Sequence, residues 1–417
     1  MNYRCTISVG CTILLLQSVM GLDCQAQTVT GRVLLTNSSG LVQGDAPVAW
    51  VVLCRENRIL KKQDKLSDKA RFELEKEADA RAFDLIVGAP DMTPATYRGL
   101  VAESGEKLVL TVTLQKMSET LLAGKHGRKM IDRKVADALE LLPAGSDEAR
   151  SIRESVERLD QKRPITVLLP AYFYPGGNTA REWDDVLWAS GQLKSEGRLM
   201  VIVNVNSGPG NIQQPDQNYL NLISRLASSD AAVIAYVRAD YGRRSADEIL
   251  QDVRRWLGTY QGITGFFFDE VSPEKKDVAH FKALCEATRK LLKGVKQPLV
   301  IGNFGRMCDE GYAASGVFDL LCISESRWGD QKIERPSWDR KDSKAKFGAI
   351  IYGVNDQKEF GAAFELATSE GCSFVYITDQ RGMGNEVLWT RLPNNNEIWR
   401  PLIQKVKTWN KSAKSKK

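Results

Sequence analysis

Apolar runs and amphipathic segments alternate along the second half of the chain. From Pro164 onward there are eight nearly continuous apolar runs, of which "LMVIVNVN", "AVIAYVRA" and "GITGFFFDE" are typical. Parallel strands covered on both faces have this pattern. The segments between them, such as "ADEILQDVRRWLGTY", carry apolar residues at helical spacing. Eight strands with intervening helices predict an α/β fold, a (β/α)8 TIM barrel over 164–410.

A doubly wound open sheet is the alternative architecture for this region. Such sheets normally contain fewer strands, and they often carry a glycine-rich phosphate loop. The stretch "SGPG" at 207–210 lacks the spacing of such a loop and is typical of a tight turn. We therefore favour the barrel.

Residues 28–115 show a different pattern, with short strands separated by polar turns. The strand candidates are "TVTGRVLLT", "APVAWVVLCR", "ARFELE", "AFDLIVGAP" and "KLVLTVTLQ". Short alternating strands predict a small all-β sandwich, which we interpret as an accessory domain. The V-x-G-x-V opening, the middle "ARFEL" and the final "LTVTL" resemble carboxypeptidase-regulatory-like modules. That resemblance implies a spacer or binding role.

Between these regions, 116–163 has the periodicity of two amphipathic helices. In "KMIDRKVADALELLP" and "DEARSIRESVERLDQ" the apolar residues recur every three or four positions. We interpret the segment as a helical linker, since it is too short to favour a partner-binding coiled coil. A basic tail is predicted at 411–417.

The first residues have the layout of a secretory signal peptide, predicted at 1–26. The basic "MNYR" precedes the apolar run "CTISVGCTILLLQSVMGL", and small residues near Ala26 offer a cleavage site. An uncleaved membrane anchor is the alternative, but the run is near the lower length limit. A lipoprotein signal at Cys24 fits poorly with Asp23 before it. We expect a secreted or periplasmic protein with no membrane contact after signal removal.

Composition excludes several classes of function. Net charge is +6, but part of it lies in "KSAKSKK", and no basic stripe is interleaved with aromatics, so nucleic acid is not a predicted partner. The five cysteines outside the signal form no C-x-x-C pair, which excludes a dense disulfide scaffold. Buried free thiols are favoured, and one or two bridges remain open. With His126 and His280 as the only histidines, we expect no metal site and no cofactor.

Polar residues follow nearly every predicted barrel strand. The active site of such a barrel lies at the carboxyl ends of the strands. The residues there are Tyr172, Tyr174, Asn204, Asn206, Asp240, Tyr241, Arg243, Asp269, Glu270, Asn303, Glu325, Tyr352, Asp379 and Gln380. Amides and acids bind sugar hydroxyls, and aromatic faces pack on sugar rings. We therefore predict carbohydrate binding by Tyr172, Tyr174, Asn204, Asn206, Tyr241, Asn303 and Asp379.

Cleavage of a glycosidic bond requires two carboxyl groups. Asp269 on the fourth strand and Glu325 on the sixth can face each other across the barrel mouth. Adjacent strand residues point to opposite faces, so we expect Asp269 to project inward and Glu270 to play a supporting part. A helix N-cap or a loop role is the alternative for each acid. Asp240 is expected to pair with Arg243 or Arg244.

Six segments in order carry a resemblance to a known family. "AYFYPG", "VIVNVNSGPG", "VIAYVRADYGRR", "GITGFFFDE", "VIGNFG" and "LLCISES", within roughly 165–330, resemble the spherulin-4-like family, which includes glycoside hydrolase family 135. The chain departs from that pattern at Val205 and Asn206, where a proline often follows the asparagine. It also has Ala235 in place of glycine, and "GNFG" in place of an N-P-G block. These departures lie beside the predicted cleft, so they concern the substrate more than the fold.

The resemblance implies a secreted, endo-acting glycosidase. Its implied substrate is an α-1,4-linked polysaccharide of a biofilm matrix or cell wall that contains N-acetylgalactosamine or galactosamine. The family's acids fall on Asp269, Glu270 and Glu325, with Asp269 as nucleophile and Glu325 as general acid/base. Polysaccharide is the predicted partner, while the stereochemical course and the oligomeric state are left open.

Two other functions compete with this hypothesis. A non-catalytic carbohydrate-binding or matrix-associated protein on the same barrel is the main alternative, favoured by the altered asparagine-proline blocks. A metal-dependent hydrolase using Asp240, Asp269 and Glu325 is the third. It is disfavoured because barrel hydrolases of that kind usually recruit histidines.

Overall fold

A computed structural model describes most of the chain, as two compact units. The described residues are 27–36, 42–45, 49–64, 66, 69–76, 82–101, 107–117, 124–160, 163–195, 197–330, 333–336, 338–339, 346–382 and 387–414. The first unit ends at 161 and the second begins at 162. The predicted signal peptide and the last three residues of the predicted tail lie outside the described residues. Among the described helices, none has both the length and the apolar character needed to cross a bilayer.

The first unit contains two β-sheets. Its strands are β1 (Gln27–Thr36), β2 (Val42–Asp45), β3 (Trp50–Arg55), β4 (Arg58–Gln63), β5 (Arg71–Lys76), β6 (Phe83–Gly88), β7 (Met92–Thr93), β8 (Ala95–Leu100) and β9 (Lys107–Lys116). In one sheet β1 pairs parallel with β9 and antiparallel with β2 and β5, and β7 joins at β9. The other sheet has the antiparallel order β4-β3-β6-β8.

An apolar core lies between these two sheets. Val29 and Leu110 from the first sheet belong to the same buried cluster as Val51 and Leu85 from the second. This confirms the predicted all-β sandwich. Strand β4, with the sequence "RILKKQ", was not predicted, because it is largely exposed at a sheet edge and lacks a buried face that would produce alternation.

Two helices pack on the outer face of the second sheet. They are α1 (Gly124–Leu141) and α2 (Asp147–Asp160). Ala138 and Ile152 from the helices share a buried cluster with Trp50 and Ile86 from the strands. Because β3 is covered on both faces, "WVVLC" is continuously apolar instead of alternating. The predicted domain boundaries stay a prediction, but both helices belong to the first unit.

Eight parallel strands form a closed barrel in the second unit, in the order of the sequence. They are β10 (Thr166–Ala171), β11 (Leu199–Val203), β12 (Ala232–Arg238), β13 (Gly265–Asp269), β14 (Leu299–Asn303), β15 (Leu320–Arg327), β16 (Lys346–Tyr352) and β17 (Phe374–Ile377). Pairing of Val167 with Val375 closes the ring between β10 and β17. The predicted (β/α)8 barrel is confirmed.

Helices follow most of these strands. They are α3 (Glu182–Leu193), α4 (Gln217–Ala227), α5 (Ala246–Thr259), α6 (Val278–Leu291), α7 (Glu310–Ala314), α8 (Gln357–Ser369) and α9 (Arg400–Lys414). The sequence pattern predicted α3 to α6. Helix α5 begins with a capping box, in which the Ser245 hydroxyl accepts from the Glu248 backbone and the Glu248 carboxylate accepts from the Ser245 backbone. In the described residues between β15 and β16 there is no helix.

All five described cysteines are buried free thiols. They are Cys54, Cys285, Cys308, Cys322 and Cys372. This agrees with the favoured interpretation and leaves no disulfide among the described residues.

Candidate active site

The stretch "GFFFDE" forms β13 and the first residue beyond it. The Phe267 ring lies 6.4 Å from the Tyr236 ring on the neighbouring strand, and the Asp269 carboxylate contacts the same tyrosine. Phe268, which alternates with them, packs instead against Phe318 in the layer outside the barrel. Alternation along the strand therefore directs Asp269 into the barrel mouth, as expected.

Asn303, at the end of β14, joins Asp269 to Glu325. Its Nδ2 atom donates to Asp269 Oδ1 at 2.7 Å and to Glu325 Oε2 at 2.7 Å. The Gly305 amide donates to Asn303 Oδ1 at 3.0 Å, which orients the side chain with its NH₂ group toward both acids. Asn303 is buried. One amide group therefore holds both acids at the centre of the cluster.

The backbone of Gly305 connects the two strands that supply Asn303 and Glu325. Besides its bond to Asn303, its carbonyl accepts from the Glu325 backbone N–H at 3.1 Å. Gly305 has a φ of 64°, in the left-handed region that glycine adopts at no steric cost. This tight turn fixes the spacing between Asn303 and Glu325.

Glu325 is half-buried beside a second carboxyl group. Burial, followed by the charge of Asp269, raises the pKa of Glu325 to about 7, and the hydrogen bond from Asn303 opposes the rise. Like charges close together cannot both ionise easily in such a site. Glu325 is therefore the member of the pair that keeps its proton near neutral pH.

Asp269 accepts hydrogen bonds from more donors than Glu325 does, and these bonds stabilise its ionised form. Burial raises its pKa, but hydrogen bonds from Tyr236, Asn303 and the Glu270 backbone N–H oppose that rise. The Tyr236 hydroxyl lies 2.8 Å from Asp269 Oδ2, and burial together with the Asp269 charge keeps the pKa of that phenol well above its usual value. Because Tyr236 remains a donor, the ionised form of Asp269 is stabilised relative to that of Glu325.

Glu270 points to the rim instead of into the cluster. Its Oε2 accepts from Arg238 Nε at 2.7 Å, and Arg238 Nη2 also donates to Asp240 at 2.8 Å. The expected pairing of Asp240 with Arg243 is present at 2.6 Å. Glu270 has a φ of 55°, and its carbonyl accepts from the Tyr241 N–H at 2.6 Å. A non-glycine residue in this conformation is strained, and such strain is common beside functional sites.

Among the predicted sugar-binding residues, Asn303 bonds both acids, and Tyr172 packs against Tyr236 of the cluster. Its ring meets Tyr236 edge-on at 5.5 Å, and burial and the charge of Asp269 raise the pKa of its phenol. Tyr241 and Asn206 are exposed on the rim. Their predicted roles stay predictions.

Three other predicted binding residues have partners within the barrel unit. The Tyr174 hydroxyl donates to Asp216 at 2.8 Å. The Asn204 side chain accepts from the Gly208 N–H at 3.2 Å and so closes the "SGPG" turn. Asp379 accepts from Arg391 at 3.0 Å and from the Asn394 backbone at 3.1 Å. The structure thus does not bring these residues into the acid cluster.

Tyr236 is a member of the cluster that sequence reasoning missed. It lies inside a strand run rather than at its end, and the search for strand-end residues passed over it. The available signal was a hydroxyl-bearing side chain in an otherwise aliphatic stretch, "AVIAYV". The strand register pairs Tyr236 with Phe267, two residue pairs below Asp269, and so places it on the same inward face.

The described residues contain no group of three or more histidine, cysteine, aspartate or glutamate side chains arranged to hold a metal ion. The acid cluster itself consists of two carboxylates, one amide and one phenol. It is suited to proton transfer and to stabilising positive charge on a bound molecule.

Replacement of Glu325 by glutamine should stabilise the fold at alkaline pH. Glutamates in an unfolded chain titrate near 4.3, whereas Glu325 in the folded protein titrates near 7. The protonated Glu325 side chain therefore contributes its full stabilisation below the pKa of the unfolded state. That stabilisation is lost as pH rises through the pKa of the folded state. At pH 8 the variant should exceed wild type in unfolding free energy by up to about 4 kcal/mol.

Denaturant melts at pH 4.5 and pH 8 measure this effect. The exposed glutamate Glu286 on α6 offers a matched control, and Glu286→Gln should show no gain that grows with pH. An equal effect of Glu325→Gln at both pH values would contradict the assignment of the raised pKa.

Comparison with known proteins gives a family match over the barrel. The family model described as spherulation-specific family 4, Spherulin4, matches residues 166–406, which is more than half of the chain. Spherulin-4 of Physarum polycephalum is 26% identical over 224 residues, covering 52% of this chain and 64% of that protein. The chain therefore spans less than two thirds of the length of this relative.

Two solved structures also resemble the chain. The Aspergillus clavatus Sph3 structure, in complex with GalNAc, is 19% identical with a TM-score of 0.46, covering 60% of this chain and 99% of that one. The GH99 endo-α-mannosidase from Bacteroides thetaiotaomicron is 14% identical with a TM-score of 0.35, covering 59% of this chain and 84% of that one.

Proposed function

The chain belongs to spherulation-specific family 4, and from that premise and the Asp269–Asn303–Glu325 cluster we propose that it is a glycoside hydrolase. The observation that carries the proposal is one buried amide that donates to two carboxyl groups at the barrel mouth. The environments of these groups favour different protonation states. Glycoside hydrolysis requires this difference, because one carboxyl group protonates the leaving oxygen while the other, ionised, attacks the anomeric carbon of the sugar.

Each acid has a distinct role in the proposed reaction. The ionised Asp269 carboxylate attacks the anomeric carbon as the bond to the leaving oxygen breaks, and Glu325 transfers its proton to that oxygen. A water molecule then attacks the anomeric carbon of the covalent intermediate. The Glu325 carboxylate takes the proton of that water, and the bond to Asp269 breaks.

The spacing of the acids supports a retaining course. Asp269 Oδ1 and Glu325 Oε2 each lie 2.7 Å from the same nitrogen, so these two oxygens are at most about 5.4 Å apart, which agrees with the short separation, roughly 5–5.5 Å, of the carboxyl groups in retaining enzymes. Inverting enzymes need about 6.5–9.5 Å to admit a water molecule. We therefore expect the first product to keep the anomeric configuration of the substrate.

The proposed substrate is an α-1,4-linked polysaccharide containing N-acetylgalactosamine or galactosamine, cleaved at internal bonds by the exported protein. This choice rests on the resemblance of "AYFYPG", "VIAYVRADYGRR" and "GITGFFFDE" to the family's blocks. Two aromatic side chains support it: Tyr172 lies beside the acid cluster, and Tyr241 is exposed on the rim.

Incubation with acetylated and deacetylated α-1,4-galactosaminan tests the proposal. We expect oligosaccharide products by mass spectrometry and, by proton NMR at early times, products with the α-anomeric configuration. A β-anomer as first product would exclude the nucleophilic role of Asp269. Binding of polymer without any product would contradict hydrolysis and favour a carbohydrate-binding protein on the same barrel.

A further inference from the structure

Arg327 is an arginine of the barrel mouth that the proposed reaction does not use. It is the last residue of β15, and it follows Glu325 by two positions. Residues two apart on a strand share a face, about 6.6 Å from each other along the chain. The strand register remains continuous here, with Glu325 opposite Ile350 and Arg327 opposite Tyr352. Arg327 therefore lies on the Glu325 face, one step further out of the barrel.

The Arg327 guanidinium has no hydrogen-bond or ion-pair partner among the described residues. Its Nε atom is buried and meets no hydrogen-bond acceptor among those residues. Within the part of the chain that the structure describes, no carboxylate pairs with it. A partly buried guanidinium without an acceptor is costly, and an incoming oxyanion would remove that cost.

Other arginines near the mouth are already neutralised. Arg238 binds Glu270 at 2.7 Å, Arg243 binds Asp240 at 2.6 Å, and Arg391 binds Asp379 at 3.0 Å. Arg327 differs from these because no carboxylate among the described residues forms an ion pair with it. The difference indicates that the Arg327 guanidinium interacts with a bound molecule instead of with an acid of the protein.

Gly353 provides the surface against which Arg327 lies. A Cβ atom added there would come within 3.0 Å of Arg327 Cγ and 3.4 Å of Nε. Gly353 also has a φ of 74°, which disfavours any larger residue. The aliphatic part of the Arg327 side chain thus packs against the Gly353 backbone. This contact gives the guanidinium a defined position at the barrel mouth.

We propose that Arg327 binds an oxyanion on the polysaccharide, one sugar away from the bond that is cleaved, so that the amino-sugar polymer also carries acidic groups. This inference rests on the proposed function, because it takes the cleft to hold a polysaccharide. The shared chemistry is a planar or tetrahedral oxyanion, either the carboxylate of a uronic acid or a sulfate ester. Guanidinium forks bind both in a bidentate manner.

Calorimetric titration of an Asp269→Asn protein, which should not turn over, tests the inference. The probes are two pairs that differ in charge: α-1,4-tetragalacturonate with its methyl ester, and N-acetylgalactosamine 6-sulfate with N-acetylgalactosamine. We expect the charged member of one pair to bind at least about tenfold more tightly. The pair that shows the preference identifies the carboxylate or the sulfate.

Arg327→Met in the same background should abolish that preference while leaving affinity for the neutral member unchanged. Arg327→Lys should retain part of the preference for the charged probe. That result would show that the loss in Arg327→Met does not come from unfolding. The control is Arg306→Met, an exposed arginine following β14, which should retain the full preference. Equal affinities within both pairs, or a preference that survives Arg327→Met, would overturn the inference.

Hydrolysis is measured in a separate assay. The proposed glycosidase activity and the proposed oxyanion site can therefore fail independently of each other. A protein that cleaves neutral galactosaminan but shows no preference for charge would refute the oxyanion site alone. A protein with an Arg327-dependent preference and no hydrolysis of any polymer would refute the glycosidase and keep the site.

Discussion

Asp269→Asn should reduce kcat by about four orders of magnitude or more while leaving the fold intact. Loss of a nucleophile removes the covalent route, and single replacements within a catalytic group have effects of this size. Asparagine is close to isosteric: its oxygen can accept from Asn303 at the 2.7 Å position, and its NH₂ group can donate to the Tyr236 oxygen at the 2.8 Å position. Initial rates on galactosaminan, together with the melting temperature, measure both parts of the expectation.

Asp356→Asn is the matched control for this variant. Asp356 also follows a barrel strand, but its side chain accepts from the Glu359 backbone and caps α8. Asparagine caps helices about as well as aspartate, so activity and stability should be unchanged. Cleavage by the Asp269→Asn protein at more than about a hundredth of the wild-type rate would refute the nucleophile assignment.

Glu325→Gln should reduce kcat by about 10²–10⁴-fold on polysaccharide, where the leaving group is a sugar hydroxyl that needs a proton. On an aryl α-glycoside with an acidic phenol as leaving group, the first step needs little protonation, and the rate of glycosyl transfer to the enzyme should fall much less. Pre-steady-state release of the phenol measures that step by itself.

The pH profile provides a second measurement of the same residue. Because burial and Asp269 raise the pKa of Glu325 to about 7, wild-type kcat/KM on polysaccharide should decline above that pH, where the general acid loses its proton. In Glu325→Gln this alkaline limb should be absent. Equal losses on the two substrates, or an unchanged alkaline limb, would assign the proton transfer to another group.

Most of the barrel could be predicted from sequence because its strands are buried on both faces. Continuous apolar runs such as "LMVIV" and "FGAIIY" stand out against amphipathic helices. The short helix α7 was missed because five residues do not establish a period. In the first unit, β4 and β8 were missed for a related reason, since edge strands with exposed charges produce no apolar alternation.

The candidate site was predictable only in part. The strand-end rule identified Asp269, Asn303 and Glu325, and the resemblance to the spherulin-4-like family, now confirmed for the barrel, pointed to the two acids. The rule did not identify Tyr236 or Arg327, because their contributions depend on strand register and on which acids lie nearby. Nor could it show that Asp379 is already engaged by Arg391, since twelve residues separate them along the chain.

The buried thiols have a consequence for a chain predicted to be exported. Burial raises the pKa of Cys54 and of Cys308 to about 12, and it raises the pKa of Cys285, Cys322 and Cys372 as well. The reactive thiolate is therefore scarce at neutral pH, and exchange with outside oxidants is slow. Once folded, the described part of the protein should be indifferent to the redox potential of its surroundings. Neither a disulfide-forming catalyst nor a reducing medium would then alter its stability.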